Sequence, residues 1–320
     1  MNENQQSIIV LPDTSLILLQ VNKQLSVVKS IIENERKRYW ENHLDMLKNQ
    51  EKYDELVCES EKCILEFPCW FYGYFRSGTA KNSLKNYFGA IEDYNKCIEF
   101  NPLFDFAYSN RGNVKCKLKD YNGAIEDYTT VLQFDHDYAK FYRRSGWVKG
   151  ELEDYEGAIL DYDKAIELYS NNEFAYSNRG NVKYDVEDFK GAISDYDKAI
   201  ELSSDNSAAH NNRGLAKVQL EDYKGAIIDY DKAIELDPND GCAYNNRGNV
   251  KFDLEDFKKA ILDYNKAIEL DSNDGLFFWN RGLAYEELNE LENAKKDWQK
   301  AADLGYEDAI NKMKEFSIKT

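Results

Sequence analysis

The chain has 320 residues, of which 42% are hydrophobic and 31% are charged, and its formal net charge is −18 at pH 7. This hydrophobic content excludes an intrinsically disordered chain. The acidic balance argues against nucleic acid and against an anionic membrane as partners, because both attract proteins through clusters of Lys and Arg. A basic protein or peptide partner would be attracted to this charge, but a solvated acidic face on the second helices of the repeats accounts for it as well and is the favoured interpretation.

The sequence also bears on localisation. It contains no run of about 18 apolar residues, so no membrane-spanning helix is predicted. The amino terminus lacks a basic segment followed by a long apolar one, and it predicts no secretory signal. The six cysteines lack both C-x-x-C pairs and the density of a disulfide-linked scaffold, which indicates reduced thiols in a cytoplasmic protein.

The first predicted element, in residues 1–36, is an amphipathic helix that begins near the sequence PDTS. Its apolar residues alternate at spacings of three and four, which is the period of a coiled-coil seam. They are Leu18, Val21, Leu25, Val28 and Ile32. Two interpretations stay open. The helix covers the end of the repeats that follow, which is the favoured interpretation because terminal repeats need a cap, or residues 14–35 pair two copies in a homodimer.

A glycine then recurs seven times at a fixed period of 34 residues. These glycines are Gly78, Gly112, Gly146, Gly180, Gly214, Gly248 and Gly282. Twelve positions after each glycine comes an alanine, and sixteen positions after it comes Tyr or, in the last case, Trp298. A fixed period of this length predicts a solenoid of stacked helix-turn-helix units.

With the glycine as position 8, seven repeats can be numbered. Repeats 1 to 7 begin at Phe71, Asp105, Ala139, Glu173, Ser207, Gly241 and Gly275. Apolar or small residues fall at helical spacing in two runs per repeat. Position 16, between the runs, is Asp or Asn in six repeats and is predicted to cap the second helix. Gly at position 8 and Ala at position 20 predict a close approach of the two helices.

These columns resemble the tetratricopeptide repeat across residues 71–308. The resemblance implies an all-α fold, a right-handed α-solenoid of stacked two-helix units whose first helices line a concave groove. One period earlier, residues 37–70 are predicted to form an eroded repeat, with Trp40 at position 4 and Tyr53 at position 17. Residues 306–320 are predicted to form a C-terminal capping helix.

Positions 7 and 11 depart from the usual pattern of that family, and position 32, usually Pro, is Pro only at Pro102 and Pro238. Position 7, usually leucine, is Arg in five repeats, and position 23 is Asp in all seven. We interpret them as an ion pair within each repeat, because a guanidinium fork suits a carboxylate. The alternative is that these arginines bind a ligand. Position 11 is Lys in six repeats, where the family usually has Tyr.

The groove that the resemblance implies carries a column of amides at position 6. They are Asn110, Asn178, Asn212, Asn246 and Asn280. Amides donate and accept hydrogen bonds at once, which suits the backbone of an extended peptide. The column is similar to the asparagine ladder in the repeat domain of O-GlcNAc transferase, although duplication alone would also produce it. Aromatic residues on the same face are candidate interface anchors. They are Phe106, Trp147, Phe174, Tyr184, Phe252 and Trp279.

A second resemblance is to chaperone-binding members of the family, in which five side chains from three repeats clamp a C-terminal carboxylate. Asn110 of repeat 2 and Lys140 and Arg144 of repeat 3 match three of these five groups. Phe75 and Thr79 of repeat 1 stand where the pattern needs Lys and Asn. The resemblance therefore implies only a partial clamp.

The sequence offers no pattern for catalysis, for a cofactor or for a metal. Its three histidines are scattered, and no glycine-rich phosphate loop is present. We therefore predict a non-catalytic scaffold or adaptor that binds a peptide or helix through asparagine, arginine and aromatic side chains. The alternatives are a self-associating structural or regulatory subunit that uses the N-terminal helix, and a chaperone-associated factor with the partial clamp.

Overall fold

The computed structural model describes residues 14–134 and 139–318, and all regular structure in these segments is α-helical. The seventeen helices of the described residues follow one another largely as hairpin pairs, which confirms the predicted all-α solenoid. The chain divides into an N-terminal unit, residues 1–134, and a C-terminal unit, residues 135–320.

The N-terminal unit contains the eroded repeat and repeats 1 and 2. Its helices are α1 (Thr14–Asn49), α2 (Tyr53–Glu66), α3 (Phe71–Ser83), α4 (Tyr87–Phe100), α5 (Asp105–Lys117) and α6 (Tyr121–Phe134). The C-terminal part of α1 pairs with α2, and the two helices share a buried core to which Ala80 of α3 also belongs. The buried residues of that core include Trp40, Leu44, Leu47, Leu56 and Cys63.

The C-terminal unit contains repeats 3 to 7 and one further helix. Its helices are α7 (Ala139–Glu151), α8 (Tyr155–Leu168), α9 (Glu173–Asp185), α10 (Phe189–Leu202), α11 (Ser207–Gln219), α12 (Tyr223–Leu236), α13 (Gly241–Asp253), α14 (Phe257–Leu270), α15 (Gly275–Glu287), α16 (Leu291–Asp303) and α17 (Glu307–Ile318). Odd-numbered helices from α7 to α15 are the first helices of their repeats, and the even-numbered ones are the second helices.

The turn inside each repeat has one backbone conformation throughout. Position 15 has a positive φ, for example 62° at Glu187, which ends the first helix in a left-handed residue. Position 16 then caps the second helix in repeats 1 to 6, as predicted. In repeat 4, Gly191 N donates to Asp188 Oδ1 at 3.0 Å. Position 15 therefore fixes the end of the first helix, and position 16 fixes the start of the second helix.

The close helix approach predicted at positions 8 and 20 is present. The alanines at position 20 are fully buried in all seven repeats. A Cβ placed on Gly214 would lie 2.7 Å from Cε1 of Tyr230, the buried position-24 ring of the same repeat. Position 8 therefore has no room for a side chain.

First helices form the inner layer of each unit. In the C-terminal unit, α9 contacts its own second helix α10, the preceding second helix α8, and also the neighbouring first helices α7 and α11. The same relation holds along α11, α13 and α15. Since the first helices touch one another directly, they provide the concave wall that the sequence predicts.

The predicted ion pair between positions 7 and 23 is confirmed in every repeat with Arg at position 7. In repeat 6, Arg247 Nε donates to Asp263 Oδ2 at 3.0 Å and Arg247 Nη2 donates to Asp263 Oδ1 at 2.7 Å. The guanidinium and the carboxylate thus meet fork to fork. Asp263 is buried, so its negative charge depends on this contact.

Two further columns, which sequence reasoning missed, complete the contact. Arg247 Nη1 donates to Asp231 Oδ1 of the preceding repeat at 2.6 Å, and Lys251 Nζ, at position 11, lies 2.6 Å from Asp263 Oδ2. One guanidinium therefore joins two repeats. We name this arrangement the arginine latch. Its arginines are Arg111, Arg179, Arg213, Arg247 and Arg281.

The latch keeps its buried carboxylate ionised. Burial by itself raises the pKa of the Asp229 carboxyl, but hydrogen bonds from Arg213 and Lys217 outweigh burial and hold that pKa below its ordinary value of 3.8. Repeats 1 and 3 lack the latch arginine and have Ser77 and Ser145 at position 7. There the position-11 lysine alone pairs with the position-23 carboxylate, at 2.7 Å in both repeats.

The N-terminal part of α1 differs from the expected capping helix. Every residue from 18 to 36 is exposed, and α1 continues through residue 36, where the sequence analysis placed a boundary. The reason is length, because α1 has 36 residues and its hairpin partner α2 has 14. The partner reaches only the C-terminal part of α1, and the helix extends beyond it.

The last helix, α17, packs against the final repeat. Ala309 is fully buried beside Phe278 and Ala301. Lys312 Nζ lies 2.6 Å from Glu286 Oε2 and 3.7 Å from the centroid of the Trp298 ring. The side chain of Phe316, in the last turn of α17, lies outside the side chains that the structure describes.

Substituting Gly214 with alanine tests the close helix approach. Gly214→Ala should lower the free energy of unfolding by about 1–3 kcal/mol, because the new Cβ has to displace the Tyr230 ring. Gly150→Ala is the matched control, since Gly150 also lies in a first helix but its nearest contact would be at 3.7 Å. The control should gain up to about 1 kcal/mol from helix propensity. Equal effects of the two changes in chemical denaturation would contradict the packing described.

Removing one latch arginine tests the buried ion pair. Arg247→Met should cost about 3–5 kcal/mol, because Asp263 keeps a buried charge without its main partner. Asp231→Asn is the control, because Asp231 is exposed and an exposed ion pair contributes about 1 kcal/mol or less. Denaturation midpoints that fall equally for both variants would show that the buried end of the latch has no special role.

Candidate functional site

Four of the predicted amides lie in one line on the inner layer of the C-terminal unit. They are Asn178 on α9, Asn212 on α11, Asn246 on α13 and Asn280 on α15. All four are half-buried, so each amide is anchored in the helix layer and still reaches the groove. We name these four residues the amide line. Asn110 occupies the equivalent place on α5 of the N-terminal unit and is also half-buried.

Three members of the amide line donate a hydrogen bond to an amide on the preceding first helix. The bonds are Asn212 Nδ2 to Asn181 Oδ1 at 3.0 Å, Asn246 Nδ2 to Asn211 Oδ1 at 3.1 Å, and Asn280 Nδ2 to Asn245 Oδ1 at 2.9 Å. Each bond uses one of the two N–H groups of its amide and fixes the orientation of that side chain. The second N–H group of each amide is left for another acceptor.

A second amide column lies at position 9 and was missed by sequence reasoning. It is Asn in repeats 2, 4 and 6, and in each case its Oδ1 accepts a hydrogen bond from the buried position-24 tyrosine at 2.8–2.9 Å. In repeats 3, 5 and 7 the same position holds Trp147, Leu215 and Leu283. The inner layer thus alternates between polar and apolar repeats. The signal in the sequence is the Asn that recurs at position 9 of every second repeat, in repeats 2, 4 and 6.

Two recesses lie along the amide line, one on each side of α9. The recess between α7 and α9 has a volume of about 210 Å³ and is lined in part by Asn178, and the recess between α9 and α11 has a volume of about 180 Å³ and is lined in part by Asn212. Asn181 and Asp185 line both recesses. Helix α9 is therefore a polar ridge between two hollows of the groove.

The same wall of the C-terminal unit is acidic at position 13, the last residue of each first helix. Its acidic residues are Glu151, Asp185, Asp253 and Glu287, all exposed. Burial raises the pKa of Asp185 and of Asp253 above the ordinary value of 3.8, because nearby protein atoms partly exclude water from each carboxylate. A cation that reached these carboxylates would replace the hydration that they have lost.

The predicted groove aromatics fall into two groups. Phe106 in the N-terminal unit and Phe174 and Trp147 in the C-terminal unit are exposed. The other three pack inside the repeats. Tyr184 contacts Phe189, Phe252 contacts Phe257, and Trp279 lies between Trp298 and Tyr306. The exposed group presents more ring surface to the groove, and within it the Arg143 guanidinium carbon lies 5.7 Å from the centroid of the Phe174 ring.

The residues of the partial clamp are not in one unit. Asn110 lies in the N-terminal unit, and Lys140 and Arg144 lie in the C-terminal unit. Lys140 Nζ and the Arg144 guanidinium carbon lie 4.8 Å and 5.8 Å from the centroid of the Phe141 ring. Arg76, the other arginine at position 6, forms an ion pair with Asp45 and stacks on Tyr72. The partial clamp stays a prediction.

Among the helices within residues 14–134 and 139–318, none combines the length and the apolar character needed to cross a bilayer. In the same residues, no three His, Cys, Asp or Glu side chains are grouped so that they could hold a metal ion.

Comparison with known protein families gives a consistent result. Family models described as tetratricopeptide repeat or TPR repeat match residues 72–102, 139–172, 180–221, 207–240, 241–274 and 277–304. Together these segments cover more than half of the chain. A search of curated protein sequences found no significant match.

Solved structures share the fold at low sequence identity. A tetratricopeptide repeat protein from Parabacteroides merdae aligns with a TM-score of 0.63 at 19% identity, over 76% of this chain and 96% of its own. The C-terminal part of a TPR repeat-containing protein from Cytophaga hutchinsonii aligns with a TM-score of 0.59 at 21% identity, over 74% and 98%.

A chain of the APC/C hetero-tetramer Cut9–Hcn1 aligns with a TM-score of 0.60 at 18% identity, over 76% of this chain. This chain spans about half of that one, since the alignment covers 48% of it. Repeats of this kind are in general non-catalytic scaffolds for protein interaction. On the repeat segments matched and the paired helices described above, the chain belongs to the tetratricopeptide repeat family.

Proposed function

We propose that the C-terminal unit binds an extended, basic peptide along the inner layer formed by α7, α9, α11, α13 and α15. The observation that carries this proposal is the amide line, a row of half-buried and oriented amides. It is bordered by the two recesses and by the acidic position-13 residues, which we name the acidic edge. Each of these features supports one property of the peptide.

The amide line supports an extended backbone as the ligand. Three of its members are held by a neighbouring amide, so little side-chain freedom remains to be lost on binding. Their second N–H groups can donate to peptide carbonyls. Asn246 and Asn280 also have a carbonyl oxygen with no hydrogen-bond partner among the described residues, and these oxygens can accept from peptide N–H groups.

The spacing of the first helices also suits an extended chain. Packed helices lie about 8–10 Å apart, and a polyproline II segment advances about 9 Å in three residues. A peptide that runs along the groove would therefore present every third side chain to an equivalent place on successive first helices. The recesses on either side of α9 would take two such side chains.

The acidic edge supports a basic peptide. Position-13 carboxylates stand at the end of four of the five first helices of this unit, and the whole chain carries a net charge of −18. Lysine or arginine side chains would reach carboxylates that are already partly desolvated, which strengthens the attraction. Phe174, exposed on α9, adds an apolar contact next to the ridge.

A peptide library that is panned on the full chain tests the charge of the ligand. We expect the retained peptides to be enriched in Lys and Arg. The double variant Asp185→Asn/Asp253→Asn should weaken a retained basic peptide and leave the binding of a neutral peptide from the same library unchanged. Retention of acidic peptides would contradict a basic ligand.

A triple variant tests the amide line. Asn178→Ala/Asn212→Ala/Asn246→Ala should raise the dissociation constant of a retained peptide at least about tenfold, because each lost hydrogen bond costs about 0.5–1.5 kcal/mol. The control Glu201→Gln/Glu235→Gln/Glu269→Gln changes exposed residues on second helices and should bind as the wild type does. Fluorescence anisotropy measures all three proteins. If the triple variant keeps its helical circular dichroism and wild-type affinity, the peptide lies elsewhere.

A further inference from the structure

The exposed part of α1 presents an apolar face that nothing in the described residues covers. Its large apolar side chains from residue 18 onward are between 49% and 70% exposed. They are Leu18, Leu19, Val21, Leu25, Val27, Val28, Ile31 and Ile32. Most helical stability in proteins comes from packing an apolar face rather than from intrinsic helix propensity. This helical arm therefore needs a surface to pack against.

The period of the apolar residues points to another helix as that surface. Leu18, Val21, Leu25, Val28 and Ile32 occupy successive a and d positions of a heptad, and Tyr39 continues the series as the next a position. A strict spacing of three and four stays on one face only when two helices supercoil. At its base the seam continues into an apolar recess of about 530 Å³, whose lining includes Ile32, Tyr39 and Trp40.

We infer that the arm pairs with the arm of a second copy of this chain, as an antiparallel coiled coil centred between Leu25 and Val28. In a parallel pair, layers of two leucines or two isoleucines would alternate with layers of two valines. In the antiparallel pair, Leu25 lies opposite Val28 of the second copy, and Val21 lies opposite Ile32 of the second copy. Each of the four central layers then combines one valine with one leucine or isoleucine, so the layers have nearly equal volume.

Charge supports the same direction. In a parallel pair, Glu35, at a d position, would face Glu35 of the second copy, and the basic run 36–38 would lie beside its equivalent. In the antiparallel pair, Glu35 faces Leu18 of the second copy and the basic runs are at opposite ends. The two sets of acidic repeats are also kept apart, which lowers the repulsion between two chains of net charge −18.

The basic side chains of the arm are also compatible with a second copy as the occupant of the seam. Residues 18–39 contain five basic and two acidic side chains, in a chain that is otherwise strongly acidic. In the antiparallel pair, the basic run of each arm lies beside the uncharged start of the other arm and away from the other basic run. Each basic run can also approach the acidic repeats of its own chain.

Light scattering of the full chain after size-exclusion chromatography tests the pairing. The wild type should have twice the 37.3 kDa mass of one chain. Val28→Asp, which places a charge in a central layer, should return the mass to that of one chain. Val27→Asp is the matched control, because residue 27 is equally exposed but occupies a c position, outside the a and d seam, and it should keep the doubled mass.

Spin labels test the direction. A cysteine at Asn34, in a chain with Cys58, Cys69, Cys116 and Cys242 changed to serine, carries the label at an exposed position off the seam. Antiparallel arms offset the two labels by about 22 Å along the helix axis, since residues 34 and 19 then lie opposite each other and each residue adds about 1.5 Å. Parallel arms give no axial offset, and a short label distance by pulsed electron paramagnetic resonance would overturn the antiparallel arrangement.

Three further outcomes would overturn the pairing itself. They are a wild type of single-chain mass throughout the micromolar range, equal masses for Val28→Asp and Val27→Asp, and a single-chain wild type that sediments with vesicles of phosphatidylserine and phosphatidylcholine. The last result would assign the apolar face to a lipid surface. None of these measurements depends on the peptide groove, so the two proposals fail separately.

Discussion

In five of the seven repeats, one guanidinium group at position 7 links a buried carboxylate of its own repeat to a carboxylate or amide of the preceding repeat, and the spacing of these repeats depends on this contact. Two of its nitrogens bind a buried aspartate in its own repeat, and the third binds position 25 of the preceding repeat. A buried ion pair adds little net stability, because desolvation offsets its attraction. Its planar geometry, however, permits only one distance and one rotation between neighbours. The latch therefore acts mainly on the spacing of the repeats.

The spacing of the repeats in turn decides what the inner layer can present. Asn212 reaches Asn181, and Asn246 reaches Asn211, only because successive first helices are in direct contact. A polar groove has no hydrophobic core that could hold its shape. The latch and the close contact between Gly214 and Tyr230 lie behind the groove and hold its first helices in fixed positions. The groove amides are thereby oriented before a ligand arrives, which reduces the entropy lost on binding.

The sequence predicts the features that lie within a single repeat. The 34-residue period gives the helix pairs, position 16 gives the caps, and the paired columns at positions 7 and 23 give the ion pair. Contacts between repeats are harder to predict, since they depend on how one helix is rotated against the next. For that reason Asp231 was missed as a member of the latch, whereas Lys251 was missed although its contact with Asp263 lies within one repeat. The exposure of residues 18–36 was also missed, because heptad spacing is the same for a helix that covers its own repeats and for one that awaits a second helix.

The two proposed surfaces differ in chemistry, and this difference allows them to work together. The arm is apolar and basic and belongs to the N-terminal unit, whereas the groove is rich in amides and carboxylates and belongs to the C-terminal unit. A ligand selected by one surface has little reason to bind the other. A pair of chains joined through their arms would carry two identical grooves. A partner with two basic segments would then bind the second groove as an intramolecular event, and its affinity would exceed that for either groove without any new contact.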